Sequence, residues 1–491
     1  MLGRLLRFSG AATVTTFAGA YTLYRYERSK VPDDSELIQA NSAPASPPVE
    51  FKKLTVDNLM GGYDAYYLGG VFFYDQPVDA SVLRATLKEA VEVMPALAGR
   101  RTSSGIVLSN AGLRFSSVEG RAGSARDWIG EGSHMEAPRG DFADMPSACT
   151  GGEQPLFTVR VTNFADGTSA VGIASPHSFM DGKSYFVVVN ALAAAFAQGG
   201  SFKGVKTPAS FDGASVWEEC TKSMDVSKQP TMWMPVKLLE AAIPFWALAM
   251  KRLDSMLPRA KVHLTQSELA QLKAAVGATL GGGGGGGGAC TTNEALSAAF
   301  FVALAESDTG PFAAGQPGIV RMVVNAQGRG LFSGVDNIAG NFSWRVDNTT
   351  PKPPREMSMV EAAKFFVDLG AKWRDDASAT ACVQELATFY RVMDLTGWLW
   401  AQTDSVDNTL FMNNQTSLGM SAVHFGRGSL LNFHPWHSHQ HVQIVEAPSP
   451  AAGGGGGRLA GGADVYLPKM YSPLLGTEAF KERLLRGWQQ K

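Results

Sequence analysis

The sequence predicts an α+β protein built as two domains, and three observations carry that reading. At 491 residues the chain is too long for one ordinary core, and two domains of roughly 200 residues each accommodate it. Its halves share an order of strands and helices without sequence repetition. The apolar fraction of 45% and aromatic fraction of 10% are those of a packed globular protein, so each half is expected to form a two-layer sandwich of strands under helices. With 43 basic and 45 acidic residues the net charge is −2. No basic block of the kind that tracks phosphates stands out, which speaks against nucleic acid as a partner. Cys149, Cys220, Cys290 and Cys382 are far apart and form no C-x-x-C, against both a disulfide framework and a zinc site.

Residues 1–30 stand apart. Arg4 and Arg7 precede the moderately apolar stretch from Phe8 to Tyr24, and Arg25, Arg28 and Lys30 follow, with no acid before Glu27. A basic, acid-poor segment of this kind reads either as an organelle transit peptide or as a membrane anchor. The expected location is therefore organelle-targeted or membrane-tethered, otherwise cytoplasmic, and not secreted. Residues 31–50, rich in Pro, Ser, Asp, Asn and Ala, read as a linker. The organisation expected is a targeting or anchor segment and linker over 1–50, a first domain over 51–204, a crossover over 205–260 and a second domain over 261–491.

In the first domain, Tyr67 to Tyr74 has the aromatic and β-branched content of a strand. Asp79 opens a helix with Leu83, Leu87, Ala90, Val91 and Met94 at helical spacing, ending near Pro95. Gly105–Leu108 and Leu113–Phe115 read as the short strands of a hairpin, and Pro155–Thr162 as a strand. Ala170–Ser175 is an apolar strand and Tyr185–Leu192 a buried helix. Over the crossover, Pro-punctuated segments carry the exposed-looking aromatics Trp217, Trp233, Phe245 and Trp246; Ile243–Met250, too short to span a membrane, is expected to pack between domains, with contact at a membrane surface as the alternative. The second domain opens with the strand Lys261–Leu264 and the helix Ser267–Val276. Gly281–Gly288 and Gly453–Gly457 read as surface-loop expansions and not as phosphate loops, since no helix with a Lys-Ser or Lys-Thr pair follows either. Thr291-Thr292-Asn293-Glu294 caps a helix to Glu306; a strand at Ile319–Val324, a turn at Asn325–Arg329, the segment Gly340–Trp344 and a helix from Val360 to Trp373 complete the pattern.

The chemistry concentrates at Pro176-His177-Ser178-Phe179-Met180-Asp181-Gly182, between the strand and the helix of the first domain. A histidine on such a turn can project into a cleft, and its neutral ring can take a proton from a hydroxyl or amine near working pH. Asp181 has three readings: it orients the ring, it turns away to hold an arginine and fix the loop, or it caps the helix. Gly182 is expected to supply a backbone angle that other residues resist. His434, His437, His439 and His441 form a second cluster. With no carboxylate or cysteine nearby, they are expected to be structural or exposed, so no metal site is assigned.

The order of motifs resembles the BAHD acyltransferase family. Met94-Pro95-Ala96-Leu97-Ala98-Gly99-Arg100 resembles the family's Y-P-L-A-G-R, and His177 to Gly182 its H-x-x-x-D-G. Thr291–Ala298 resembles the helix start of its second domain, and Gly328-Arg329 with Gly340-Asn341 its Arg-containing turn followed by G-N. His424-Phe425-Gly426-Arg427-Gly428 stands where the family has D-F-G-W-G, and Val465–Pro468 where it has its final strand. His424 and Arg427 depart from that pattern, replacing its aspartate and tryptophan.

The resemblance, which runs from about Leu54 to Leu475, implies two chloramphenicol-acetyltransferase-like domains joined by a long crossover, with an active-site channel between them. It implies acyl-CoA as co-substrate with no permanently bound cofactor, a small-molecule alcohol or amine as acceptor, and a monomer. His177 is then the general base, and Asp181 braces the loop against Arg321 or Arg329. Thr416 of Thr416-Ser417-Leu418 supplies a hydroxyl near the acyl oxyanion, and Gly182, Gly426 and Gly428 serve the cofactor side. No acyl-enzyme is required, in keeping with the absence of a G-x-S-x-G elbow. Two alternatives remain: a catalytically silent acyl-CoA-binding homologue, and a wax-ester or condensation-type acyltransferase, whose H-H-x-x-x-D-G is not met by Pro176.

Overall fold

The computed structural model describes residues 35–42, 49–52, 67–102, 105–129, 142, 155–222, 234–235, 259–280, 290–307, 311–312, 315–374, 380, 398–399, 408–435, 441–449, 459–468, 478–486 and 488. Residues 1–34, the stretch 243–250 and both glycine runs lie outside them. Among the described residues no helix is long and apolar enough to cross a membrane. Cys220 and Cys290 are free thiols.

The first half contributes β1 (Ser35–Ile38), β2 (Glu50–Lys52), β3 (Tyr67–Tyr74), α1 (Ala80–Val93), β4 (Arg100–Arg101), β5 (Gly105–Val107), β6 (Leu113–Arg121), β7 (Thr158–Phe164), β8 (Ser169–Pro176), α2 (Gly182–Ala197) and α3 (Gly213–Thr221). Asp79 caps α1 by accepting from the backbone N–H groups of Ser81 and Val82, and Leu83, Leu87, Ala90 and Val91 face inward as their spacing requires. All eight residues of β8 are buried, which explains its unbroken run of apolar and small residues. Residues read as linker supply β1, whose Glu36 is paired with Arg84 of α1 at 2.6 Å. Only Ile38 of that strand reaches the core, too little apolar content to register as periodicity. The expected hairpin of β5 and β6 does not form: β5 pairs with β2 and β4, while β6 pairs with β1 and β7. Between them Asn110 adopts a positive φ and its amide bonds both the N–H and the carbonyl of Ala40, turning the chain from one sheet to the other.

The second half adds β9 (Met234–Pro235), β10 (Arg259–Leu264), α4 (Gln266–Thr279), α5 (Thr292–Ala305), β11 (Ile319–Asn325), β12 (Ser343–Thr349), α6 (Met359–Arg374), β13 (Trp398–Leu399), β14 (Thr409–Asn414), β15 (Leu430–Pro435), β16 (His441–Glu446), β17 (Ala463–Pro468) and α7 (Glu478–Arg486). Two six-stranded sheets result, ordered β1-β6-β7-β8-β3-β15 and β10-β17-β16-β14-β11-β12. Capping boxes start α4 at Thr265/Glu268 and α5 at Thr291/Glu294. Every residue of α5 from Glu294 to Ala305 is buried, so this helix is the spine of the second core, where Phe301 meets Phe312 and Phe366.

A division at residue 260 does not survive the sheet order. β15, read as part of the second domain, lies antiparallel on β3 in the first sheet, with Phe433 opposite Phe72 and their rings 4.5 Å apart. Without it the outer edge of β3 would present unpaired backbone groups. The chain then returns to the second sheet as β16.

Candidate active site

His177 sits on the turn that leaves β8, closed by the bond from the Phe179 N–H to the Pro176 carbonyl. Four residues later Asp181 has no exposed surface. It is the cap of α2, accepting from the Ser184 N–H at 2.9 Å through Oδ1. Its Oδ2 accepts from Asn325 Nδ2 at 2.8 Å, the Phe342 N–H at 3.0 Å and Ser343 Oγ at 2.9 Å. The expectation of an arginine partner is therefore corrected. Arg321 instead forms a two-pronged pair with Asp347 at 2.6 Å, and uncharged donors satisfy the buried carboxylate of Asp181. Its own N–H donates to the Gly340 carbonyl, to which Ser184 Oγ also donates at 3.0 Å. The turn of the first sheet is thus stitched to residues 340–343 leading into β12 of the second.

That stitching delivers Asn341 to the histidine. Asn341 Nδ2 donates to the His177 carbonyl at 2.9 Å, and its Oδ1 lies 3.2 Å from His177 Nδ1. Trp217, on α3 within the crossover, donates its indole N–H to the Asn341 carbonyl at 2.9 Å. Read from sequence as exposed, Trp217 is buried, with its ring against Phe332 and Phe342. Sequence reasoning named Asn341 as part of a motif but gave it no role. The signal available was the pairing of Gly340-Asn341 with a buried crossover tryptophan, whose N–H needs a partner.

Thr416 is buried and donates its hydroxyl to Asn414 Oδ1 at 2.8 Å; Asn414 in turn bonds Asn293 at the start of α5. It lines a cavity of about 250 Å³ with Ser417, Gly419, Ser421 and Glu446. The same loop meets the start of α2, where Leu418 and Gln415 lie 3.7 and 3.9 Å from the position a Cβ on Gly182 would take. Gly182 has no left-handed backbone angle, contrary to expectation, because the extended residue is the cap Asp181 and helical geometry begins at Gly182.

Gly426 and Gly428 answer to another part of the molecule. Gly426 has φ +129, and a Cβ on Gly428 would fall 2.7 Å from Asp75 Oδ1 and 3.0 Å from the Gln76 N–H nitrogen. Phe425 packs on Phe196 at the far end of α2, about 20 Å along the helix from Gly182 at 1.5 Å per residue. Their loop therefore docks on the end of β3 and sets the entry into β15, and the fold does not draw it to His177. His424 faces its own loop, its Nε2 2.9 Å from the Ser421 carbonyl. His434 and His441 lie on strands of different sheets, and His437 and His439 fall outside the described residues. No group of three metal-ligating side chains is assembled among the described residues.

Such a fold, two mixed sheets cross-linked at an H-x-x-x-D-G turn, defines a two-domain protein of the chloramphenicol-acetyltransferase-like kind. Residues 43–238 match the family described as Transferase family. In structure the chain is similar to vinorine synthase, at 15% identity and a TM-score of 0.63, over 92% of this chain and 97% of that one. It is similar also to F. sporotrichioides TRI101 complexed with coenzyme A and T-2, at 14% identity and a TM-score of 0.61, over 88% and 99%. The first condensation domain of the calcium-dependent antibiotic synthetase, in complex with a substrate analogue, aligns at 12% identity and a TM-score of 0.51, over 90% and 95%. No curated protein matches the chain in sequence. The resemblance to the BAHD-type acyltransferases thus holds, in fold for the chain and in sequence for residues 43–238.

Proposed function

We propose that this protein transfers an acyl group from acyl-CoA to a hydroxyl or amine of a small molecule, with His177 as general base. The observation that carries the reading is the placement of His177: on a turn of the first sheet, half-buried, and held by Asn341 on the approach to β12 of the second. A thioester carbonyl is already reactive, so the tasks left to the protein are to deprotonate the acceptor, align it and stabilise the oxyanion. His177 takes the acceptor proton as the oxygen or nitrogen attacks the carbonyl carbon. The C–S bond then breaks, and the proton passes to the departing thiolate. Asp181 holds the turn and the approach to β12 in register. Thr416 turns its hydroxyl from Asn414 to the oxyanion, and Gly182 keeps the space beside Leu418 and Gln415 clear for the acyl donor. TRI101, complexed with coenzyme A, supports the choice of donor.

Free-thiol release is the direct test, using full-length protein, a panel of acyl-CoAs and mixed hydroxyl and amine acceptors, with mass spectrometry of product and protein. The proposal expects release that depends on acceptor, and no acylated protein. A stable acyl-enzyme would overturn the mechanism; acyl-CoA binding without turnover would favour a silent binding protein.

A further inference from the structure

We infer that Asn341 is a positioning residue that sets the tautomer of His177, and that Trp217 holds Asn341 in place; the inference deepens the proposed role of His177 as base. A backbone carbonyl can only accept a hydrogen bond, so the end of the Asn341 amide that lies 2.9 Å from the His177 carbonyl is the NH2 group. The amide is planar and rigid, and its oxygen then faces the ring, 3.2 Å from Nδ1. That oxygen has no proton to give, so the contact is a hydrogen bond only when Nδ1 carries the proton. The neutral ring consequently keeps its lone pair on Nε2, the nitrogen turned away from Asn341, and it is Nε2 that accepts the substrate's proton.

This device works only if Asn341 cannot shift, and its backbone is fixed on three sides. Trp217 donates to the Asn341 carbonyl, Asp181 accepts from the Phe342 N–H, and Ser184 Oγ bonds both the N–H and the carbonyl of Gly340. Helix α3 presses directly on this segment: a Cβ on Gly340 would come 3.0 Å from the Gly213 Cα. The crossover, by this account, is part of the positioning of the base.

The test reads the proton itself. Full-length protein labelled with 15N-histidine is examined by NMR at neutral pH, with His177 assigned by the signals lost in His177→Gln. Wild type is expected to show a protonated Nδ1 and a bare Nε2. In Asn341→Leu, which keeps the size of the side chain but makes neither bond, a substantial fraction of the proton moves to Nε2. There kcat falls by about ten- to a hundredfold, with KM for acyl-CoA unchanged. Asn341→Asp keeps an acceptor toward Nδ1 and adds a charge that favours the imidazolium, so the acid limb of the kcat/KM profile moves to higher pH. Trp217→Phe keeps an aromatic ring and removes the indole N–H, and a smaller shift of the same kind is expected; it carries the measurement if Asn341→Leu fails to fold. A wild-type His177 protonated on Nε2, or a tautomer unchanged in both variants, overturns the inference whatever the activity. The expected tautomer in a protein that transfers no acyl group would uphold the role of Asn341 and remove the transferase reading.

Discussion

Asp181 meets four donors in a site with no exposed surface, so its two oxygens are not interchangeable with an amide. Asp181→Asn would turn an NH2 group onto donors from Ser184 or from Asn325, Phe342 and Ser343. A loss of about 2–3 kcal/mol is expected, read as a lower urea midpoint, together with loss of activity. Thr416→Val keeps the shape and removes the hydroxyl. Its expected cost in stability is about 1 kcal/mol, from the bond to Asn414, and kcat should fall by at least about tenfold if the oxyanion uses that hydroxyl. At this scale the sequence shows His177 and Asp181 plainly, because a turn between an apolar strand and an apolar helix is a local pattern. The role of Asn341, by contrast, is not legible there, since 164 residues separate it from the ring it touches. The arginine expected against Asp181 is absent because position in a motif does not say which of several nearby donors will reach a carboxylate.

Helix α2 links two loops, with the H-x-x-x-D-G turn at its start and Phe425 of the His424–Gly428 loop at its close. The glycines at those ends make opposite predictions. Gly182→Ala meets only ordinary contacts, so stability should change by less than about 1 kcal/mol while KM for acyl-CoA rises. Gly428→Ala drives a Cβ into Asp75 and Gln76 and should cost about 1–3 kcal/mol, with KM unchanged in the protein that still folds. Chemical denaturation beside steady-state kinetics separates the two. Helix starts at Asp79, Thr265 and Thr291 are legible because their caps are written within a few residues. Strand pairing is not, as β5 and β6 show: two neighbouring strands joined by a turn can still belong to different sheets.

Across the whole molecule the halves are interleaved by β15 and tied there by hydrogen bonds. Lys261 of β10 is 2.8 Å from Asp464 of β17 and donates to Asn432 of β15 at 3.1 Å, while Tyr466 donates to the Phe433 carbonyl at 3.0 Å. Burial alone would raise the Asp464 carboxyl, but the hydrogen bond from His263 and the Lys261 ammonium outweigh it and hold it below its ordinary value. A lowered folded pKa contributes stability that is complete above about pH 4 and is lost as pH falls through the folded value. Asp464→Asn should therefore be less stable than wild type by about 2 kcal/mol at pH 7, and urea titrations repeated toward pH 3 should show the difference shrinking. The α+β class is legible from composition and element order. The exchange of β15 is not, because chain order alone does not say which sheet a strand joins.

Acceptor-dependent thiol release from acyl-CoA, measured for wild type beside His177→Ala, decides whether His177 is the base of an acyl transfer. A loss of about 10²- to 10⁴-fold in kcat is expected, with circular dichroism unchanged and the urea midpoint moved by no more than the one bond to Asn341, about 1 kcal/mol, since the side chain is half-buried. Full activity in a folded His177→Ala protein would contradict that role.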